Sequence, residues 1–116
     1  MDTMLLDSLT ASRARDSLPS VAGLNALATF FDALSDVTRL KIISALSVSA
    51  MCVTDLALVT SLKQTTVSHN LRTLRAAHVV ECVRQGKVMF YSLAERNIPH
   101  IMSAAVGAVL RANNIG

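Results

Sequence analysis

The stretch from Asp55 to Leu74, D-L-A-L-V-T-S-L-K-Q-T-T-V-S-H-N-L-R-T-L, constrains the fold more than any other part of the chain. It reads as two short helices joined by a tight turn over Ser61 to Lys63. In the second helix Val67, Leu71 and Leu74 recur at i, i+4 and i+7, which turns one apolar side to the domain. The other side carries Thr65, Ser68, His69 and Arg72. Short hydrogen-bonding side chains with a guanidinium suit a helix laid in the major groove of DNA, where base edges and phosphates lie within reach. Any solvated helix also has a polar outer face, so the surrounding charge has to be weighed.

The net charge of the 116 residues is only +3. Its distribution says more. From Leu56 to Ala94 there are five basic residues, Lys63, Arg72, Arg75, Arg84 and Lys87, against the single acid Glu81, and the remainder is net negative. Phosphate contacts require a positive patch confined to the reading module in this way. The length allows one domain. With 52% hydrophobic but only 3% aromatic residues, the core must be built from Leu, Val, Ile, Ala and Met. Cys52 and Cys82 make neither a disulfide framework nor a C-x-x-C pair, and are expected as reduced thiols in a cytoplasmic protein. No apolar run reaches the roughly 18 to 20 residues of a membrane span, and residues 1–20 lack the apolar core of a secretory signal.

Residues 1–20 are expected to form a flexible or partly helical arm, with one or two turns around Leu5, Leu6 and Leu9 and an interruption at Pro19. One domain is expected over residues 21–112, followed by a short tail at 113–116. Leu24, Leu27, Phe30, Phe31 and Leu34 mark a broad helical face from Val21 to Leu34. Asp36 or Ser35 can cap the next helix, with Val37, Leu40, Ile43 and Leu46 on one side and Arg39 and Lys41 pointing away. From Val53 to Val59, Leu56 and Val59 share a face. Lys63 stands where a capping Ser would be more comfortable.

The period changes after His78. Val79 to Arg84 and Val88 to Leu93 are β-rich runs separated by Gln85, Gly86 and Lys87, a hairpin with Arg84 and Lys87 at its tip. Such a tip can reach a neighbouring minor groove or its phosphates, or merely keep the hairpin solvated. After Asn97 the helical period returns, with Ile98, Ile101, Met102, Ala105, Val109 and Leu110 on one face. That face needs a partner, and the same helix of a second subunit is the simplest one. Two-fold symmetry then sets paired reading helices about 34 Å apart, one duplex turn.

Three stretches together resemble the small winged-helix ArsR/SmtB-type bacterial regulators. They are F-D-A-L-S-D-V-T-R-L-K-I-I from Phe31 to Ile43, C-V-T-D-L through T-V-S-H-N-L-R-T-L from Cys52 to Leu74, and R-Q-G-K-V-M-F-Y-S-L from Arg84 to Leu93. The resemblance spans about Leu24 to Leu110. It implies a mainly α fold with a β-hairpin wing, a winged helix-turn-helix, and a homodimer through its N-terminal and C-terminal helices. That dimer would repress transcription at a palindromic operator and let go when an effector or a thiol modification acts. Carried onto this chain, the motif A-L-S-D-x-T-R-L is Ala33 to Leu40. The DNA-facing set is Gln64, Thr65, Thr66, Ser68, His69 and Arg72, with Arg84 and Lys87 on the wing, and the dimer set is Leu24, Leu27, Phe31, Ile98, Ile101, Met102, Ala105 and Val109.

The effector sites of the family carry over less well. Soft-metal sensors use C-V-C-D-L; here Cys52 is kept, but Thr54 replaces the second cysteine and Ala57 a third, and soft ions want two or three thiolates. Zinc-type members place ligands on the last helix at positions that correspond to Glu95, Asn97, Ala108 and Arg111, of which only Glu95 can ligate zinc. Thiol-switch members use a cysteine on the last helix, which this chain lacks, so whether Cys82 approaches Cys52 is an open question. Cys52, Cys82 and His100 are the remaining effector candidates, through a metal ion or a reactive sulfur species. His78 and His100 also read as structural histidines, and Cys52 as a small buried hydrophobe.

Two alternatives accompany this reading. A repressor with degenerate sensor sites would answer to no metal. A winged-helix interaction module without DNA binding would show an apolar docking patch on the reading helix, which is absent there. An enzyme is disfavoured, since there is no Gly-rich phosphate loop and no paired carboxylate or nucleophile–base arrangement.

Overall fold

A computed structural model describes residues 5–115, in the order α1 (Ser8–Asp16), α2 (Val21–Leu34), α3 (Val37–Leu46), α4 (Val53–Thr60), α5 (Gln64–Ala76), β1 (Val80–Gln85), β2 (Val88–Leu93) and α6 (Ile98–Ala112). The arm expected over residues 1–20 is helical from Ser8, Leu5 and Leu6 precede the helix, and residues 1–4 lie outside the described part. Among the described residues no helix is long and apolar enough to cross a membrane.

Short polar side chains set the helix starts. Asp7 caps α1 by accepting from the backbone N–H of Thr10, and Ser20 caps α2 by accepting from Gly23. Asp36 caps α3 by accepting from the N–H of Arg39 at 3.0 Å. Each such cap satisfies a donor that the first helical turn leaves free. Neither α4, preceded by Cys52, nor α5, preceded by Lys63, has a side-chain cap. Between them Ser61 takes a left-handed conformation, φ 57°, and this is what makes the turn tight.

The core sits where α3, α4 and α5 meet the base of the hairpin. Ile42 and Ile43 of α3, Leu56 of α4, Val67, Leu71 and Leu74 of α5, Val79, Val80 and Ile98 are all fully buried. Each contributes about 1.5–3 kcal/mol by leaving water, against about 1 kcal/mol for a cap, so this cluster holds α5 in place. β1 and β2 pair antiparallel from Val80↔Leu93 to Gln85↔Val88, and Met51 bridges to Tyr91 on the other side of β2. The hairpin is thereby anchored to the segment that leads into α4.

Four expectations are corrected by the packing. Val37 is exposed and Ile42 takes the core position, because α3 is covered by α4 and α5 on the side where Ile42 and Ile43 lie. Val59 is exposed, and α4 instead packs through Leu56, Ala57 and Thr60, whose hydroxyl donates to the Leu56 carbonyl. Arg39 does not point away from the domain. It folds back onto the end of α2, with Nε donating to the Ala33 carbonyl at 2.6 Å. Ile98 is only 2% exposed and belongs to the protomer's own core rather than to an outward dimer face.

Candidate nucleic-acid interface

The α5 helix sorts its side chains by the 100° turn per residue. Val67, Asn70, Leu71 and Leu74 are buried, which leaves Gln64, Thr65, Ser68, His69 and Arg72 on the exposed surface as expected. Thr66 sits at the edge of that surface, half-buried, and its carbonyl accepts from Asn70 Nδ2 at 2.9 Å. Asn70 thus satisfies its amide inside the helix instead of offering it outward. Thr73 and Arg75 are exposed on the last turns.

Lys63 was counted in the local charge but not among the contacts. It stands exposed at the start of α5, where the helix has no side-chain cap and its dipole favours an anion. The signal for it was the absence of Ser, Thr, Asp or Asn immediately before Gln64.

At the wing, Gln85 pairs with Val88, so the turn itself is Gly86-Lys87. Gly86 has φ +63° and Lys87 does not share that sign, the pattern of a type II′ turn with glycine first. Arg84 Nε donates to the Gly86 carbonyl at 3.1 Å, which braces the turn. Lys87 is exposed at the tip. Both basic side chains are exposed, and Arg84 in addition stiffens the wing.

The effector candidates are dispersed. Tyr91 pairs with Cys82 on one side and bridges to Met51 on the other. The two cysteine-bearing segments lie on opposite flanks of β2, two strand spacings or about 10 Å apart. A disulfide spans about 4.4–6.8 Å between Cα atoms, and both thiols are free. Cys52 opens onto a cavity of about 320 Å³ that it shares with Val53, Thr54, Lys87, Val88 and Met89. His100 is exposed on the first turns of α6, and Arg111 lies back across Gly107 at the other end.

The donor chemistry fits neither metal arrangement of the resemblance. Around Cys52 the neighbours are Thr54, Ala57 and the ammonium of Lys87, which supply no second thiolate. At the four positions on α6 and its approach that correspond to the zinc ligands, Asn97, Ala108 and Arg111 leave Glu95 as the one good ligand, and His100 lies outside that set. Among the described residues of one chain, no three His, Cys, Asp or Glu side chains cluster as a metal site.

Residues 36–81 match the family model described as bacterial regulatory protein, arsR family. The chain is 37% identical over 92 residues to the transcriptional repressor SmtB homolog of Synechocystis sp., covering 77% of this chain and 70% of that protein. It is 36% identical over 89 residues to the cadmium resistance transcriptional regulatory protein CadC of Listeria innocua, covering 76% and 70%. Among solved structures, the homodimeric winged helix-turn-helix DNA-binding domain Mb0332 of Mycobacterium bovis superposes with a TM-score of 0.73 at 26% identity, over 84% of this chain and 94% of that one. With its winged helix-turn-helix, this chain belongs to the arsR family of bacterial regulatory proteins, a family of transcriptional regulators rather than of enzymes.

Proposed function

We infer that the chain is a homodimeric, sequence-specific transcriptional repressor that grips a palindromic operator with α5 and the wing of each protomer and works in the cytoplasm. One observation carries this reading. The exposed face of α5 and the wing tip present Lys63, Arg72, Arg75 and Lys87 among hydrogen-bonding side chains, with Glu81 the only acid from Leu56 to Ala94. Thr65, Ser68 and His69 reach base edges, with Gln64 and Thr66 flanking them, and Arg72 reaches phosphate or guanine. Lys63 and Lys87 bind phosphate, and Arg84 holds the wing turn.

The dimer uses α2 and α6. Leu24, Leu27 and Phe31 on α2 and Ile101 and Val109 on α6 are exposed in the single chain, with Ala105 and the half-buried Met102 beside them. Exposed large apolar residues on each of two helices support an association surface there. The SmtB homolog is named a repressor and the Mycobacterium bovis domain a homodimer, which supports both parts of the reading.

The effector acts at Cys52. Its open cavity is also lined by Lys87, Val88 and Met89, so anything that occupies this cavity touches the wing. A metal held in the inherited sites is not part of this proposal, since their donor sets are incomplete. The substitutions at Thr54 and Ala57 also favour a second reading, a repressor whose sensor is degenerate.

Fluorescence anisotropy of a labelled duplex carrying the protein's own promoter tests these readings. The fully reduced protein is titrated first, then again with zinc, arsenite or a persulfide donor. Tight, salt-dependent binding abolished by one additive, and retained in Cys52→Ser, supports the thiol sensor. Binding indifferent to all three supports the degenerate one, and no specific binding overturns the repressor.

A further inference from the structure

A hollow of about 200 Å³ lies where the end of α2 meets the end of the reading helix. Thr29, Asp32 and Arg39 line one side of it, and Thr73, Ala76 and Ala77 line the other. None of these six belongs to the DNA-facing set. Clefts for drug-sized ligands run to about 300–1,000 Å³, and one water takes about 30 Å³, so this hollow suits a molecule much smaller than a nucleotide.

Its charges are placed against the local rules. Asp32 stands in the last turn of α2, where the helix dipole disfavours an acid and no basic residue of that turn offsets it. Arg39 passes the carboxylate by, since Nε goes to the Ala33 carbonyl and Nη2 to the Asp32 backbone carbonyl. Among the described residues its Nη1 donates to no acceptor. Across the hollow α5 ends, and among the described residues the Ala76 and Ala77 carbonyls accept no backbone N–H. One hollow thus gathers a carboxylate and the negative ends of two helices beside a guanidinium with a donor to spare. Local choices that oppose the fold mark function more often than stability.

We propose that this hollow is a site for a small free α-amino acid, with its ammonium held by Asp32 and the end of α5 and its carboxylate by Arg39 Nη1. A simple carboxylate would face Asp32 and a simple amine would face Arg39, and like charges repel. A zwitterion satisfies both walls, and the methyl groups of Ala76 and Ala77 meet a short apolar side chain. Because α2 packs on α5, a ligand held between their ends ties the reading helix to α2, and its occupancy shifts operator affinity. That coupling rests on the repressor of the proposed function; the binding does not.

Amide NMR of the full chain tests the site with L-alanine, L-serine and L-valine, and with ethylamine and propionate, which are alanine without its carboxylate and without its ammonium. The expected result is saturable shifts at the Ala33, Thr73, Ala76 and Ala77 amides with at least one of the amino acids, and binding at least ten-fold weaker for ethylamine and propionate. Asp32→Asn removes an exposed charge from the wrong end of a helix, so it should keep the fold and weaken the amino acid at least ten-fold, while Glu95→Gln leaves it unchanged. No saturable shift with any of the three amino acids, an equal response to ethylamine, or wild-type binding by Asp32→Asn overturns the site. Anisotropy of the labelled duplex with and without the saturating amino acid then reads the coupling. An unmoved operator affinity overturns the coupling and leaves the site standing, and amino-acid binding by a protein that holds no operator overturns the repressor alone.

Discussion

Arg39 reaches back across the bend between two helices to donate a 2.6 Å hydrogen bond from Nε to the carbonyl oxygen of Ala33, with Nη2 reaching the Asp32 carbonyl at 3.4 Å. Those carbonyls lie in the last turn of α2, where the helix dipole favours a cation, and the Asp32 carbonyl also accepts from the Ser35 N–H at 3.0 Å. Three residues earlier Asp36 caps the start of α3 through the N–H of Arg39 itself. The segment S-D-x-T-R is therefore a two-ended clasp, closing α2 and opening α3. It fixes the angle between a proposed dimer helix and the helix on which α5 is packed. Replacing Arg39 with Ala should cost about 1–3 kcal/mol in urea unfolding at fixed protein concentration, with Lys recovering part of it. An unchanged midpoint would show that the clasp holds nothing.

Arg72 and Lys87 are exposed on α5 and the wing tip. Changing either to Ala should lower the slope of log K against log salt by about 0.9 for each phosphate contact removed. Arg84, already bonded to the Gly86 carbonyl, should act through the wing's geometry, so Arg84→Ala should weaken binding with a smaller change in slope. Equal slopes for wild type, Arg72→Ala and Lys87→Ala would take both residues off the phosphate list.

Ala105 and Ala108 are exposed on α6, so a larger polar side chain there spares the fold of the single chain. Glu at either position should place an unpaired charge in the dimer interface twice over by symmetry. The expected loss is about 2 kcal/mol or more, roughly 30-fold in dimer dissociation. Analytical sedimentation reads it directly, and a dimer of wild-type strength would move the interface off α6.

Ser61 holds φ 57° at the end of α4, a region that costs an L-residue roughly 1–2 kcal/mol. Glycine removes that strain and pays about 0.5–1 kcal/mol in chain entropy. Ser61→Gly should therefore be neutral to stabilising by up to about 1 kcal/mol, with operator affinity intact, whereas Ser61→Val should be clearly destabilising. Urea unfolding that ranks the two in the opposite order would contradict the left-handed turn.

The Asp7 carboxyl is held below the usual carboxylate range, first by the Thr10 backbone N–H and then by the Thr10 hydroxyl. A lowered folded-state pKa means a contribution present above the unfolded value, about 3.9, and lost as pH falls through the folded value. Amide exchange across α1 should rise on acidification below about pH 4 beyond the intrinsic trend. Asp7→Asn, a neutral cap, should abolish that extra pH dependence.

Local rules in the sequence were enough for much of this molecule. Val67, Leu71 and Leu74 fall on one side of α5 because the helical period places them there, and the same period leaves Thr65, Ser68, His69 and Arg72 outside. The β-branched runs around Gly86 register as a hairpin because glycine supplies a positive φ at the turn. Asp36 caps α3 by a contact three residues long. Each of these depends on neighbours within one or two turns of chain.

Only the tertiary structure decided the rest. Periodicity gives a residue's angle about its own helix axis but not what stands opposite. Val37 and Val59 had the right spacing for the core and are exposed, because no element covers their side. Ile98 had the spacing of the outward face of α6 and lies inside, where the helix starts against the hairpin base. Arg39 is a long side chain whose direction is set by where α2 ends, and the distance between the Cys52 and Cys82 segments is set by β2 passing between them. These are relations between residues brought together by packing, and packing is a property of the whole chain at once.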